Sequence, residues 1–232
     1  MKRFIASLGR AGFVLALVCS MTAASCTTGL GQLQTARTLE KGEFRSTISA
    51  GLDRNFTIQE RSKLPGYPIL QYAARWGVHD NLDMGAKLFF GLGALVDAKL
   101  QVINCPRLAV SLLGGAGGAY DHSSGAEILH VPLLLLASYR VAERFTPYAG
   151  AGYGAFWIFN YRSSDYLPAG ATLAPRAWHG DGLMMLHVGF EIALTSRSAL
   201  LLEYGYLRPI VDDPGDRYDF AVNHLVLGGV QF

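Results

Sequence analysis

The last fourteen residues, Asp219 to Phe232, constrain the fold more than any other stretch. Phe220, Val222, Val226, Gly228, Val230 and Phe232 share one parity, with His224 as the exception. In an extended strand successive side chains point to opposite faces, so this parity is a single apolar face that ends on an aromatic residue. The pattern predicts an amphipathic strand at the chain end.

Lys2, Arg3 and Arg10 precede an apolar run from Ala11 to Met21, and the small residues Ala23-Ala24-Ser25 precede Cys26. That is the layout of a secretory leader spanning 1–25. Two readings place the cut before Cys26. One is ordinary cleavage after small residues. The other is a lipobox, in which Cys26 is acylated, although Ala23 stands where lipoproteins usually carry Leu or Val. A terminal amphipathic strand closing on Phe232 resembles the last strand of bacterial outer-membrane β-barrels. That resemblance implies that Phe232 is read by the barrel-assembly machinery. Tyr72 to Gly85 resembles the strand-turn-strand unit of small barrels of this kind, and Thr146 to Gly154 has the same character. The resemblance covers residues 42–232 and concerns architecture, not activity.

Half of the residues are hydrophobic and only 16% are charged. No second apolar run approaches the ~18 residues of a membrane helix, since Val131 to Ala137 is short and contains Pro132. In lipid, only helices and closed barrels satisfy every backbone group, so the mature chain either stays out of the bilayer or crosses it as strands. The 27 glycines and 11% aromatics suit close strand packing and interfacial rings. The leader carries three basic residues and no acidic ones, which leaves 17 basic against 18 acidic. That near-neutral balance argues against nucleic acid as a partner. Cys26 and Cys105 remain after cleavage; they could pair in an oxidising compartment, or acylation could occupy Cys26.

Residues 26–41 read as a polar periplasmic linker. Ten strand-like segments follow, near 42–53, 68–78, 81–91, 95–103, 107–119, 127–141, 146–158, 183–194, 198–208 and 219–232. Leu82, Met84, Ala86 and Leu88 alternate with Asp83, Gly85 and Lys87, while Val96, Ala98 and Leu100 alternate with Asp97, Lys99 and Gln101. Short turns at 79–81, 104–106, 142–145 and 195–197 alternate with longer loops at 54–67, 159–182 and 209–218. The connection at 91–94 is tight and breaks that alternation. An even strand count with this alternation predicts a closed antiparallel β-barrel, with short turns and both termini on one side.

Parity sends Arg45, Arg75, Lys87, Lys99 and Arg140 inward with Glu43, Asp83, Asp97, Glu191 and Glu203. A ten-stranded lumen is narrow, and buried charges left unpaired cost several kcal/mol, so these residues are expected to pair as a structural network. His187 and Glu191 share one strand face, with His130 and Glu203 as further candidates. At ~3.3 Å per residue the first two lie about 13 Å apart, too far for one metal ion. No cofactor or metal is expected. Tyr72, Trp76, Tyr139, Tyr153, Trp157, Tyr204, Tyr206 and Phe232 fall on the outward parity, where rings form membrane-interface girdles.

Three catalytic or ligand patterns are open to test against the residues. Asp212-Asp213 and His179-Gly180-Asp181 are superficially similar to the acidic and Asp/His pairs of omptin proteases, but their spacing differs. His224 lies on the lipid-facing parity without a neighbouring Ser to make a lipid hydrolase. The glycine clusters at 114–118 and 150–154 lack the strand-to-helix context of a phosphate loop. The expectation is therefore a non-enzymatic barrel with the outer-membrane bilayer as its surroundings. A small channel is the alternative, and a membrane hydrolase or a soluble β-sandwich ranks behind it. The loop 159–182, with Tyr161, Tyr166 and Trp178, is the expected surface for an outside partner.

Overall fold

The structure, a computed structural model, describes residues 31–55, 67–89, 93–120, 127–159, 178–210 and 223–232. Ten strands pair with their sequence neighbours: β1 (Phe44–Asn55), β2 (Tyr67–His79), β3 (Leu82–Phe89), β4 (Gly93–Asn104), β5 (Leu108–Tyr120), β6 (Glu127–Tyr139), β7 (Phe145–Phe159), β8 (Trp178–Ala193), β9 (Ala199–Ile210) and β10 (Asn223–Gln231). All pairs are antiparallel, and β10 returns to β1 to close a barrel. Closure removes both sheet edges, so no strand is left as a template for another chain.

The seam between the first and last strands runs from Asn55↔Asn223 to Thr47↔Gln231. Beyond it Phe232 and Ser46 exchange a pair of backbone hydrogen bonds, each 2.9 Å. The terminal alternation therefore serves the purpose read from it: odd positions of β10 face in, and Val226, Val230 and Phe232 face out at 45–55% exposure. In β6, Pro132 has no N–H to donate. The β5–β6 ladder is correspondingly interrupted between Gly114↔Leu133 and Gly117↔His130 without a change of register.

The described turns at 80–81, 105–107, 140–144 and 194–198 all lie at the end where β1 begins and β10 finishes. The tight connection at 91–94 is shortened, because β4 already starts at Gly93, and residues 90–92 lie outside the described residues. Strand β8 begins at Trp178, which assigns 178–182 to the barrel wall and not to the 159–182 loop. The leader, Cys26, Tyr161, Tyr166 and Asp212-Asp213 lie outside the described residues, as do the side chains of Trp178, His179 and Asp181.

One expectation is corrected by the path of the chain. The linker placed at 26–41 is, over its described part, not an external tether. Residues 31–39 run inside the barrel as a segment of neither helix nor strand, where Gln32, Leu33, Gln34 and Leu39 are buried and Ala36 is fully enclosed. The chain leaves the lumen at the turn end and reverses at Glu40–Glu43, where the Glu43 N–H donates to the Glu40 carbonyl at 2.9 Å. Gly42 takes φ +84° at the third position of that turn, the left-handed conformation a type II turn requires.

Candidate functional site

The lumen has two walls of different chemistry, and the strap of residues 31–39 lies between them. Inward positions of β2 to β4 are mostly polar, with Gln71, Asp83, Lys87, Asp97, Lys99 and Gln101 all buried, and apolar only at Ile69, Phe89 and Leu95 among the buried ones. Inward positions of β6 and β8 to β10 are mostly apolar, with Leu134, Leu136, Met185, Leu201, Leu207, Leu225 and Leu227 at 1% exposure or less. Leu33 joins one apolar cluster with Ile69, Tyr148, Leu201, Leu225 and Leu227. Ala36 joins a second with Leu113, Leu134, Leu136, Phe156 and Met185. A lumen that is oily on one side and ionic on the other needs a filler with both characters. A strap with Leu33, Ala36 and Leu39 set among glutamines and threonines, and with backbone groups free to bond side chains of the wall, supplies it.

Polar side chains on several strands, from both sides of the lumen, bond the strap's main chain. Glu203 accepts the N–H of Gln32 and the N–H of Leu33, one on each carboxylate oxygen and both at 2.7 Å. Leu33 has φ +43°. A branched residue in the left-handed region costs ~1–2 kcal/mol, a cost offset here by two charge-assisted bonds that successive N–H groups make to one anion. Lys87 donates to the Gly31 carbonyl at 3.0 Å and to Gln32 Oε1 at 2.9 Å. Lys99 donates to the carbonyls of Thr35 at 3.0 Å and Arg37 at 2.7 Å. Ser111 donates to the Ala36 carbonyl. Gln101 Oε1 accepts from the N–H and hydroxyl of Thr38, and Asp83 accepts from the Leu39 N–H at 3.2 Å. Outside the lumen, the Arg37 guanidinium bonds the carbonyls of Cys105 and Pro106 in the β4–β5 turn.

The expected inward charges thus resolve into separate groups. Arg75 pairs with Asp83 at 2.6 Å and with Asp97, and Lys99 stands 3.4 Å from Asp83. Across the lumen Glu203 also accepts from the Tyr148 hydroxyl at 3.1 Å and meets His187 Nδ1 at 3.2 Å. His187 is therefore paired with Glu203 on the next strand. Glu191, four residues away on β8, is half-buried on the same inward face. Arg45 and Glu43 form a 2.7 Å pair at the rim, each side chain about one-third exposed. Arg140 is a correction: it sits beyond the end of β6, exposed, with its N–H bonded to the Arg107 carbonyl. Its parity was right, but its strand ends one residue too soon to carry it inside.

A His–carboxylate–Tyr cluster is equipped for proton transfer, yet Glu203, His187 and Tyr148 are all buried beneath the strap. Every acceptor position of the carboxylate is directed at a donor of the protein itself, so the cluster holds the strap and leaves no place for a substrate. Among the described residues no group of His, Cys, Asp and Glu side chains is arranged to hold a metal ion.

On the outside, Leu100, Leu112, Leu133, Val188 and Leu202 are 42–60% exposed, as their parity predicts. Trp76, Tyr139, Tyr153 and Tyr204 are exposed with them, while Tyr72 is half-covered and bonds Ser46 through its hydroxyl. His224 faces outward at a 2.5 Å contact with the Tyr204 hydroxyl.

Sequence reasoning did not anticipate Tyr148 and Ser111 as strap ligands, nor the strap itself. The signal was present in Leu133-Leu134-Leu135-Leu136, which is apolar on both parities. Such a run implies a dry interior on that side and something to fill it.

Gly77 marks where the strap leaves the lumen. A Cβ there would stand 1.9 Å from the Glu40 carbonyl oxygen, and Gly77 exchanges backbone bonds with Gly42 and Glu43. Gly77→Ala is expected to cost about 1–3 kcal/mol through forced displacement of the strap exit. A urea titration of the detergent-folded protein checks this, and an unchanged midpoint would contradict the close approach.

No family model matches the sequence, and no curated protein matches it. Several solved structures are similar to the barrel. The N-terminal β-barrel domain of Pseudomonas aeruginosa OprF is 12% identical, with 83% of this chain and 98% of that one covered at a TM-score of 0.40. Ail, the attachment invasion locus protein of Yersinia pestis, is 11% identical over 83% of this chain and 99% of its own, at 0.37. Neisserial surface protein A is 11% identical over 81% and 95%, at 0.38. The assignment of a closed ten-stranded barrel rests on this chain's own strand pairing.

Proposed function

We propose that the mature chain is an outer-membrane β-barrel with a structural or surface-interaction role, held closed by its own N-terminal strap. The observation that carries this reading is a closed barrel with an apolar exterior and a filled interior. Ile48, Leu88, Val96, Leu133, Leu135, Val188 and Val226 are each 49–60% exposed and lie on strands all around the barrel. A soluble protein rarely exposes contiguous apolar surface beyond a few hundred Å², whereas lipid solvates such a band and a closed barrel satisfies its backbone. The leader 1–25 and a mature chain starting at Cys26 fit export to that membrane. The bilayer and the barrel-assembly machinery are then its first partners, the latter through Phe232.

The interior argues for a closed resting state. Arg75, Asp83, Asp97, Lys87, Lys99 and Glu203 are bonded to one another or to the strap, which occupies the lumen over its described part. In planar bilayers the intact protein is expected to give no stable conductance steps; regular single-channel openings would favour the small-channel reading. Phe232→Ala is expected to lower the amount of assembled barrel several-fold in cells while the purified variant still refolds in detergent. Normal assembly in cells would remove Phe232 from the recognition role.

A further inference from the structure

The strap is bound in an unusual way for a plug: the barrel reads its backbone. Eight main-chain groups between Gly31 and Leu39 are bonded by barrel side chains. These ligands come from β3, β4, β5 and β9, so they line the channel on more than one side. The strap's own side chains contribute less. Gln32 accepts from Lys87 and Thr38 donates to Gln101, whereas Gln34 bonds Gln32 within the strap and Arg37 reaches outside to a turn. Side-chain demands are concentrated at three points. A Cβ at Gly31 would stand 1.8 Å from Leu227 Cδ1, Leu33 fills an apolar pocket, and Ala36 is fully enclosed.

We propose that the lumen is a binding channel for an extended polypeptide, recognised through its main chain, with the strap as its occupant in cis. Main-chain bonds give such a site affinity for any extended chain, and pockets for a few side chains give it selectivity. The ligand it fits has a small residue, then an apolar one two positions later, then a small one three positions after that, as at Gly31, Leu33 and Ala36. The residue in the third position must adopt the left-handed conformation that presents two successive N–H groups to Glu203. A second chain of this pattern would enter from the turn end, where the strap leaves beside Gly77.

The test converts the strap from a tether into a ligand. A site-specific protease sequence is inserted between Lys41 and Gly42, both exposed at the rim, and the full chain is folded in detergent and cut. The severed fragment is expected to stay with the barrel through gel filtration and to exchange with a labelled peptide of residues 31–41. A peptide carrying Gln34→Ala and Arg37→Ala should compete within about tenfold of the unmodified one. A peptide methylated on the backbone nitrogens of Gln32 and Leu33 should bind about 100-fold more weakly or worse, since it cannot donate to Glu203. Equal competition by the methylated peptide would overturn main-chain recognition. Release of the fragment on cutting, or unfolding of the barrel, would overturn the channel as a site able to hold a separate chain.

Discussion

Glu203→Gln will lower the stability of the folded barrel by about 3–5 kcal/mol, because one buried backbone bond is lost, the other loses its charge assistance, and an N–H is turned against an amide group. The carboxylate is 1% exposed and accepts from Gln32, Leu33, Tyr148 and His187 at 2.7–3.2 Å. A glutamine offers one acceptor oxygen in place of two. The left-handed Leu33 then loses the interaction that offsets its conformation, and buried donors on three elements are left with fewer acceptors. With urea slopes of ~1–3 kcal/mol per M, the unfolding midpoint falls by about 1 M or more. Glu43→Gln provides the contrast. Its pair with Arg45 is about one-third exposed, and such pairs are worth ~0–1 kcal/mol. If both variants unfold at the same urea concentration as the parent, Glu203 does not latch the strap.

Leu133→Arg has the second-largest expected effect, and it acts from the other side of the wall. Leu133 is the central residue of β6, faces outward and is 60% exposed. An arginine at the bilayer midplane costs ~2–4 kcal/mol, falling to ~0–1 near the interfaces. Val141, 57% exposed just past the end of β6, is the matched rim position, and Val141→Arg should be nearly silent. The pair is measured by equilibrium unfolding from lipid vesicles. Equal effects at both sites would mean that the outward face of β6 does not cross a hydrocarbon layer.

Most of the barrel was legible from local chemistry. Period-two alternation fixed which residues of β3, β4 and β10 face outward, and turn residues such as His79-Asp80-Asn81 and Asn104-Cys105-Pro106 placed the hairpins to within a few positions. Alternation works because a strand in a barrel wall meets two unlike environments, and each residue reports the one it faces. It fails where that contrast fades. Arg140 kept its parity past the end of the strand, and β8 extends to Trp178 through residues that carry turn-like Gly and Asp. The strap was not legible by this means at all. Its position depends on contacts inside the lumen between residues 44 to 171 apart in sequence, from Leu39 with Asp83 to Gln32 with Glu203. What the sequence did carry was the demand for it: Lys87 and Lys99 point into a narrow lumen opposite a wall of leucines. Neither cation could be satisfied by the neighbouring carboxylates alone, and the strap's carbonyls make up the difference.

The closed barrel in a membrane is the central claim, and membrane fractionation with gel mobility before and after boiling tests it most directly. The protein is expected in the outer-membrane fraction, resistant to carbonate extraction, with a folded band that shifts only on boiling. A carbonate-soluble protein with one mobility would contradict it, and the exposed leucines and valines of the outer face would then have to be buried by another protein surface.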